Sequence, residues 1–129
     1  MTKTPSSAAH AHWSKWPLRV TTTIATVMLF DQAVFAGQFL SGSYDQLHVH
    51  RENATFAGIA VLVSAAAAVL VWRPGRGPWW PILAHLGLFA LIGVQIALGF
   101  ARVINVHVPL GVATIILASA VAAWAWLRR

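Results

Sequence analysis

The stretch Leu47–Ala54, LHVHRENA, interrupts two long apolar runs with two histidines, an arginine and a glutamate. Its counterpart near the other end of the chain, Ile104–Gly111, INVHVPLG, again sets a histidine at the mouth of an apolar run. Working outward from these two interruptions divides the chain into apolar stretches at Leu18–Leu40, Thr55–Trp72, Trp79–Phe100 and Val108–Leu127. Each approaches the roughly 20 residues that a helix needs to cross a bilayer, and none alternates polar and apolar residues as a membrane barrel strand does. An all-α integral membrane four-helix bundle is expected over residues 18–129, behind a polar tail at 1–17.

Composition supports that class. Of the 129 residues, 58% are hydrophobic and 9% charged, and the mean hydropathy is +0.68. The net charge of +6 forms no basic stripe for nucleic acid, because the cations sit at the ends of apolar runs and act as topology signals. Lys3, Lys15, Arg19, Arg73, Arg76, Arg128 and Arg129 fall at one set of ends, against Arg51 and Arg102 at the other. All seven tryptophans, Trp13, Trp16, Trp72, Trp79, Trp80, Trp124 and Trp126, share the basic ends. A multi-pass protein of the cytoplasmic (inner) membrane with both termini cytoplasmic is therefore expected, with both histidine stretches outside. Cysteine is absent, which excludes thiolate ligation and covalent haem attachment. The VFAG at 34–37 resembles a signal-peptide cleavage site, but the long apolar run containing Asp31 reads as a retained span.

The sharpest signal is internal repetition. A shift of 57 residues carries Gln38 onto Gln95, Gly42 onto Gly99, Val49 onto Val106 and His50 onto His107, so that both hairpins contain Gln-x3-Gly-x7-His. The same shift aligns Ala54 with Gly111, one turn beyond each histidine. Two repeated hairpins place His50 and His107 at one depth. Either alone reads as an interfacial residue. As a matched pair above small residues they have the makings of a bis-histidine haem iron site, with Ala54 and Gly111 lining a slot for the macrocycle. Arg51, Arg102, Asn105, Tyr44 and His48 are then candidates to meet the propionates, and His48 is also a possible alternative ligand.

HVHRENATFAGIAVL at 48–62, together with HLGLFALIGVQIALGFARVINVHVPLGVATIIL at 85–117, resembles one four-helix half of the haem A synthase family. It is similar also to short four-helix bacterial membrane proteins that look like such a half. The resemblance covers roughly residues 20 to 127. It implies an antiparallel bundle in which histidines of the second and fourth helices, here His50 and His107, face a haem near the outer surface. Synthases have eight helices and typically a glutamate three residues before the helix-2 histidine, where this chain has Leu47. Synthase catalysis is accordingly not expected. A non-covalent haem b with both axial positions filled has no open site for oxygen and suits electron transfer, in a small subunit of a larger membrane redox complex or in a homo-oligomer. The competing reading is a cofactor-free structural or accessory subunit.

Three further polar features carry weaker expectations. Asp31 lies within the first span, where a carboxylate is a functional candidate by default, although a hydrogen-bonded structural role is the simpler reading. His85 opens the third helix at the basic end and reads as a packing hydrogen bond, a second cofactor ligand or a subunit contact. His10 and His12 belong to a polar tail with the composition of a solvated terminus. The small residues Gly37, Gly58, Ala65 to Ala68 and Gly93 are expected to permit close helix contacts.

Overall fold

A computed structural model of the chain describes residues 13–128. His10, His12 and most of the polar tail lie outside the described residues. Four helices form: α1 Lys15–Leu40, α2 Gln46–Trp72, α3 Trp80–Phe100 and α4 Ile104–Leu127. The shortest has 21 residues, about 31 Å at 1.5 Å per residue, and all four are long and apolar enough to cross a membrane. Short connections at 41–45, 73–79 and 101–103 reverse the chain each time. Each helix packs on two neighbours, in the order α1–α2–α3–α4 with α4 closing onto α1. The chain is a multi-pass membrane four-helix bundle.

The boundaries differ from those read in the sequence in an instructive way. α2 begins at Gln46 and α4 at Ile104, so both histidine stretches are helical. Polar residues ended the apolar runs without ending the helices, since a helix at a membrane surface can continue into water with its backbone bonds intact. Pro109 lies inside α4, where it removes the N–H that would bond the Asn105 carbonyl.

Small side chains face inward and large ones outward. The core is built from Ala25, Leu29, Ala57, Val61, Leu88, Ile92 and Ala118 in one cluster, and from Leu18, Ala67, Ala68, Val71 and Ala125 in a second. Phe30, Ile59, Leu83 and Ile116 are all more than half exposed, the arrangement expected when lipid covers the outside and close helix approach governs the inside. Gly58 faces α3, where a Cβ would lie 3.7 Å from Phe89 and Ile92, an ordinary van der Waals contact that an alanine could also make. At Gly37 and Gly93 a Cβ meets nothing within 4 Å.

Burial shows the repeat more clearly than residue identity does. Leu18, Thr22, Ala25 and Leu29 on α1 recur 63 residues later as the buried Pro81, His85, Leu88 and Ile92 on α3. On α2, Ala57, Val61 and Ala68 recur 57 residues later as Thr114, Ala118 and Ala125 on α4. The first hairpin is thus six residues longer around its turn, and a single shift misaligns its first helix. The counterpart of Gln95 is Gln32; Gln38 is exposed beside the turn, and Gly42 sits in the turn itself at φ 102.

At the tryptophan end the loop 73–79 closes over the last turn of α2. Arg73, Gly75, Gly77 and Arg76 donate their N–H groups to the carbonyls of Val69, Leu70, Val71 and Trp72 respectively, satisfying all four carbonyls that a helix leaves open at its C-terminus. The chain runs so close that a Cβ at Gly75 would lie 2.5 Å from Ser14 Oγ and 2.6 Å from the Val71 carbonyl oxygen, and one at Gly77 would lie 2.7 Å from Val71 Cγ1. Gly75→Ala and Gly77→Ala are each expected to destabilise the bundle by about 1–3 kcal/mol. Gly87→Ala and Gly93→Ala, which open onto free space, are expected to leave thermal unfolding in detergent unchanged or shift it upward.

Candidate functional site

The α2 and α4 N-terminal turns carry His50 and His107 to the same end of the bundle, and their side chains come together there. The ring centroids are 6.2 Å apart and the planes cross at 69°. Each ring is held from the preceding helix of its own hairpin. His50 Nδ1 lies 3.1 Å from the Gln32 carbonyl oxygen and His107 Nδ1 lies 2.9 Å from that of Gln95. A carbonyl only accepts, so each Nδ1 carries the proton, and in the neutral ring Nε2 presents its lone pair. Orienting an imidazole through Nδ1 and leaving Nε2 basic is the usual preparation of a histidine for a metal.

Beneath the pair lies a polar layer that the sequence showed only in part. Gln32 Nε2 and both side-chain polar atoms of Gln95 are buried without hydrogen-bond partners. Such orphaned amides cost about 1–3 kcal/mol each, and they belong to the same two residues whose backbone carbonyls hold the imidazoles. Two glycines make the layer possible. A Cβ at Gly99 would lie 3.3 Å from His107 Cε1, and one at Gly111 would lie 3.2 Å from Gln95 Nε2. Gly111 thus accommodates the Gln95 amide in this structure, rather than open space beside its own histidine. Ala54 is half-buried one turn beyond His50. Next to it, Asn53 Nδ2 donates to the Met28 carbonyl at 2.8 Å and ties α2 to α1.

The other sequence candidates are distributed around this layer or away from it. Arg51 extends across to α3, its guanidinium 5.1 Å from the Phe100 ring centroid. Arg102 is exposed in the α3–α4 turn at φ 57. Tyr44 and Asn105 are exposed at the same end. His48 is not part of the pair: its side chain is 76% exposed and Nε2 lies 3.5 Å from Glu52 Oε1, one turn along α2. Asp31 precedes Gln32 on α1 and is half-buried, about 14 Å along the helix from its end at Leu40. His85 belongs to the opposite end of the core, 2% exposed, with Nδ1 2.6 Å from the Pro81 carbonyl oxygen. Its counterpart Thr22 makes the same bond one turn back, to Leu18 at 2.8 Å, and His85 lies about 15 Å from Gln95 along α3.

Sequence reasoning missed Gln32 and Asn53. The available signal was polarity: both are amides in or beside an apolar span, where a polar side chain needs a partner. Compared with protein-family models, with curated proteins and with solved structures, the chain has no significant match.

In the protein without added metal, 15N NMR of labelled histidine is expected to show His50 and His107 as Nδ1–H tautomers with unprotonated Nε2. The reverse tautomer at either position would break the assignment of its carbonyl contact.

Proposed function

We propose that this protein binds one haem b between His50 and His107 and acts in electron transfer in the cytoplasmic membrane, as a small subunit of a larger membrane redox complex. The observation that carries the reading is the separation of the two imidazoles. A first-row metal with a nitrogen about 2 Å away on either side would hold ring centroids about 6 Å apart, and they stand at 6.2 Å. Their Nδ1 contacts leave Nε2 as the ligating atom on both rings. The orphaned amides of Gln32 and Gln95 mark the same layer as one short of polar partners.

Within this reading His50 and His107 hold the iron, and Arg51, Arg102 and Asn105, at the same end, meet the propionates by charge and hydrogen bonding. Held by these two histidines, a haem would supply a one-electron couple. The basic residues and tryptophans at the opposite end favour cytoplasmic termini, which puts the histidine pair at the outer face. The resemblance to half of a haem A synthase points to the same two ligands. A cofactor-free accessory subunit is the second reading, favoured by the way the Gln95 amide packs into the space at Gly111.

An absorption spectrum of the full chain, purified in mild detergent from haem-replete cells, separates the two. Low-spin bis-histidine bands are expected, with His50→Ala and His107→Ala each abolishing them while His48→Ala and His85→Ala retain them. A colourless wild-type preparation would favour the accessory subunit, and loss of colour in His48→Ala alone would move the ligand. For topology, a reporter active only in the cytoplasm is expected to be active when fused after Arg129.

A further inference from the structure

The end of the bundle away from the histidine pair has a feature that electron transfer does not use. A cavity of about 200 Å³ opens between the start of α1, the α2–α3 loop and the last turn of α4, and Lys15, Arg76 and Arg128 all line it. The three acidic side chains of the sequence are Asp31, Asp45 and Glu52. Asp45 and Glu52 stand at the histidine end and Asp31 in the span between, so among the described residues no acidic side chain stands at the end that carries these cations. Three like charges around one cavity repel one another unless an anion sits among them.

The surrounding framework fixes where these cations stand. Gly75 and Gly77 pin the loop against α1 and α2, with too little room for a Cβ, and Arg76 between them is held at φ 57 by its N–H bond to Trp72. Arg128 lies with its guanidinium 5.2 Å from the Trp124 ring centroid. The Arg128 carbonyl accepts a 2.8 Å bond from Arg19 Nη2, and Arg19 Nε donates to the Ala125 carbonyl at 3.0 Å. Arg19 thereby secures the C-terminal turn of α4, where a cation is favoured by the helix dipole.

The level of the cavity decides between kinds of anion. It lies within the tryptophan belt, where indoles sit at the headgroup depth of a bilayer, and its remaining walls include Leu18 and Val71. A polar mouth over apolar walls suits a molecule that is anionic at one end and hydrocarbon at the other. We infer that Lys15, Arg76 and Arg128 form a binding site for the phosphodiester headgroup of an anionic phospholipid. Basic pockets between transmembrane helices recognise such headgroups by charge.

The test titrates the full chain, in neutral detergent, with short-chain phosphatidylglycerol and follows bound lipid by native mass spectrometry. Phosphatidylcholine and inorganic phosphate serve as the comparators. One saturable phosphatidylglycerol per chain is expected, undisplaced by either comparator at equal concentration. Lys15→Gln and Arg76→Gln should each weaken it about fivefold, while Arg73→Gln, whose side chain lies outside this cavity, should leave it unchanged. Both test residues lie away from the core, so helical content and unfolding temperature should match the wild type. Equal weakening by Arg73→Gln would show a diffuse field in place of a site, displacement by phosphate would show a soluble-anion site, and equal binding of phosphatidylcholine would show no charge recognition. Any of these overturns the inference.

Discussion

Close approach of helix backbones is the constraint on which the rest of this molecule depends. In hydrocarbon there is no hydrophobic drive to hold helices together, so contact area and packing density must do it. Ala57, Ala67, Ala68, Ala118 and Ala125 in the interior let the helices come near enough for dispersion contacts to accumulate. The same nearness lets side chains on one helix reach carbonyls on another: His50 reaches Gln32, His107 reaches Gln95, Asn53 reaches Met28 and Arg19 reaches Ala125. With bulky residues along these seams, the imidazoles would lose their anchors before they lost the helices that carry them.

The two hairpins solve the same packing problem with different turns. Holding burial constant requires a displacement of 63 residues on the first helix of each hairpin and 57 on the second. The six extra residues of the first hairpin lengthen the end of α1, the turn and the start of α2, all near the membrane surface where added length disturbs little packing. The core and the histidine depth are therefore retained while the surface differs. Thr22 and His85 illustrate how far chemistry changes at a matched position: both bond the carbonyl one turn earlier, one with a hydroxyl and the other with an imidazole.

The ends of the bundle are chemically opposite. At one end stand the imidazole pair, unpartnered glutamine amides and the exposed acidic side chains Asp45 and Glu52. At the other, Arg19 lies between Trp16 and Trp126, Trp80 meets Trp124 edge-on at 4.6 Å, and the loop glycines seal the end of α2. Indole rings against guanidinium groups favour an interface where apolar surface and water meet. The bundle thus separates an aromatic, cationic end from an imidazole and amide end along its own axis.

The sequence by itself determined the class of this protein. The length of four apolar runs, the clustering of Trp and Arg at alternate ends, and the recurrence of a histidine after 57 residues follow from local composition and spacing, which a one-dimensional reading registers directly. It also singled out His50 over His48, because only His50 matches His107. Tertiary structure decided what spacing could not: that the helices continue through the polar stretches, that Gln32 and not Gln38 matches Gln95, and that Gly111 faces a neighbouring amide. These facts depend on which carbonyl or cavity a side chain meets across a helix interface. The six-residue difference in turn length hides that correspondence from any constant shift, since packing conserves position around the axis and depth in the membrane rather than distance along the chain.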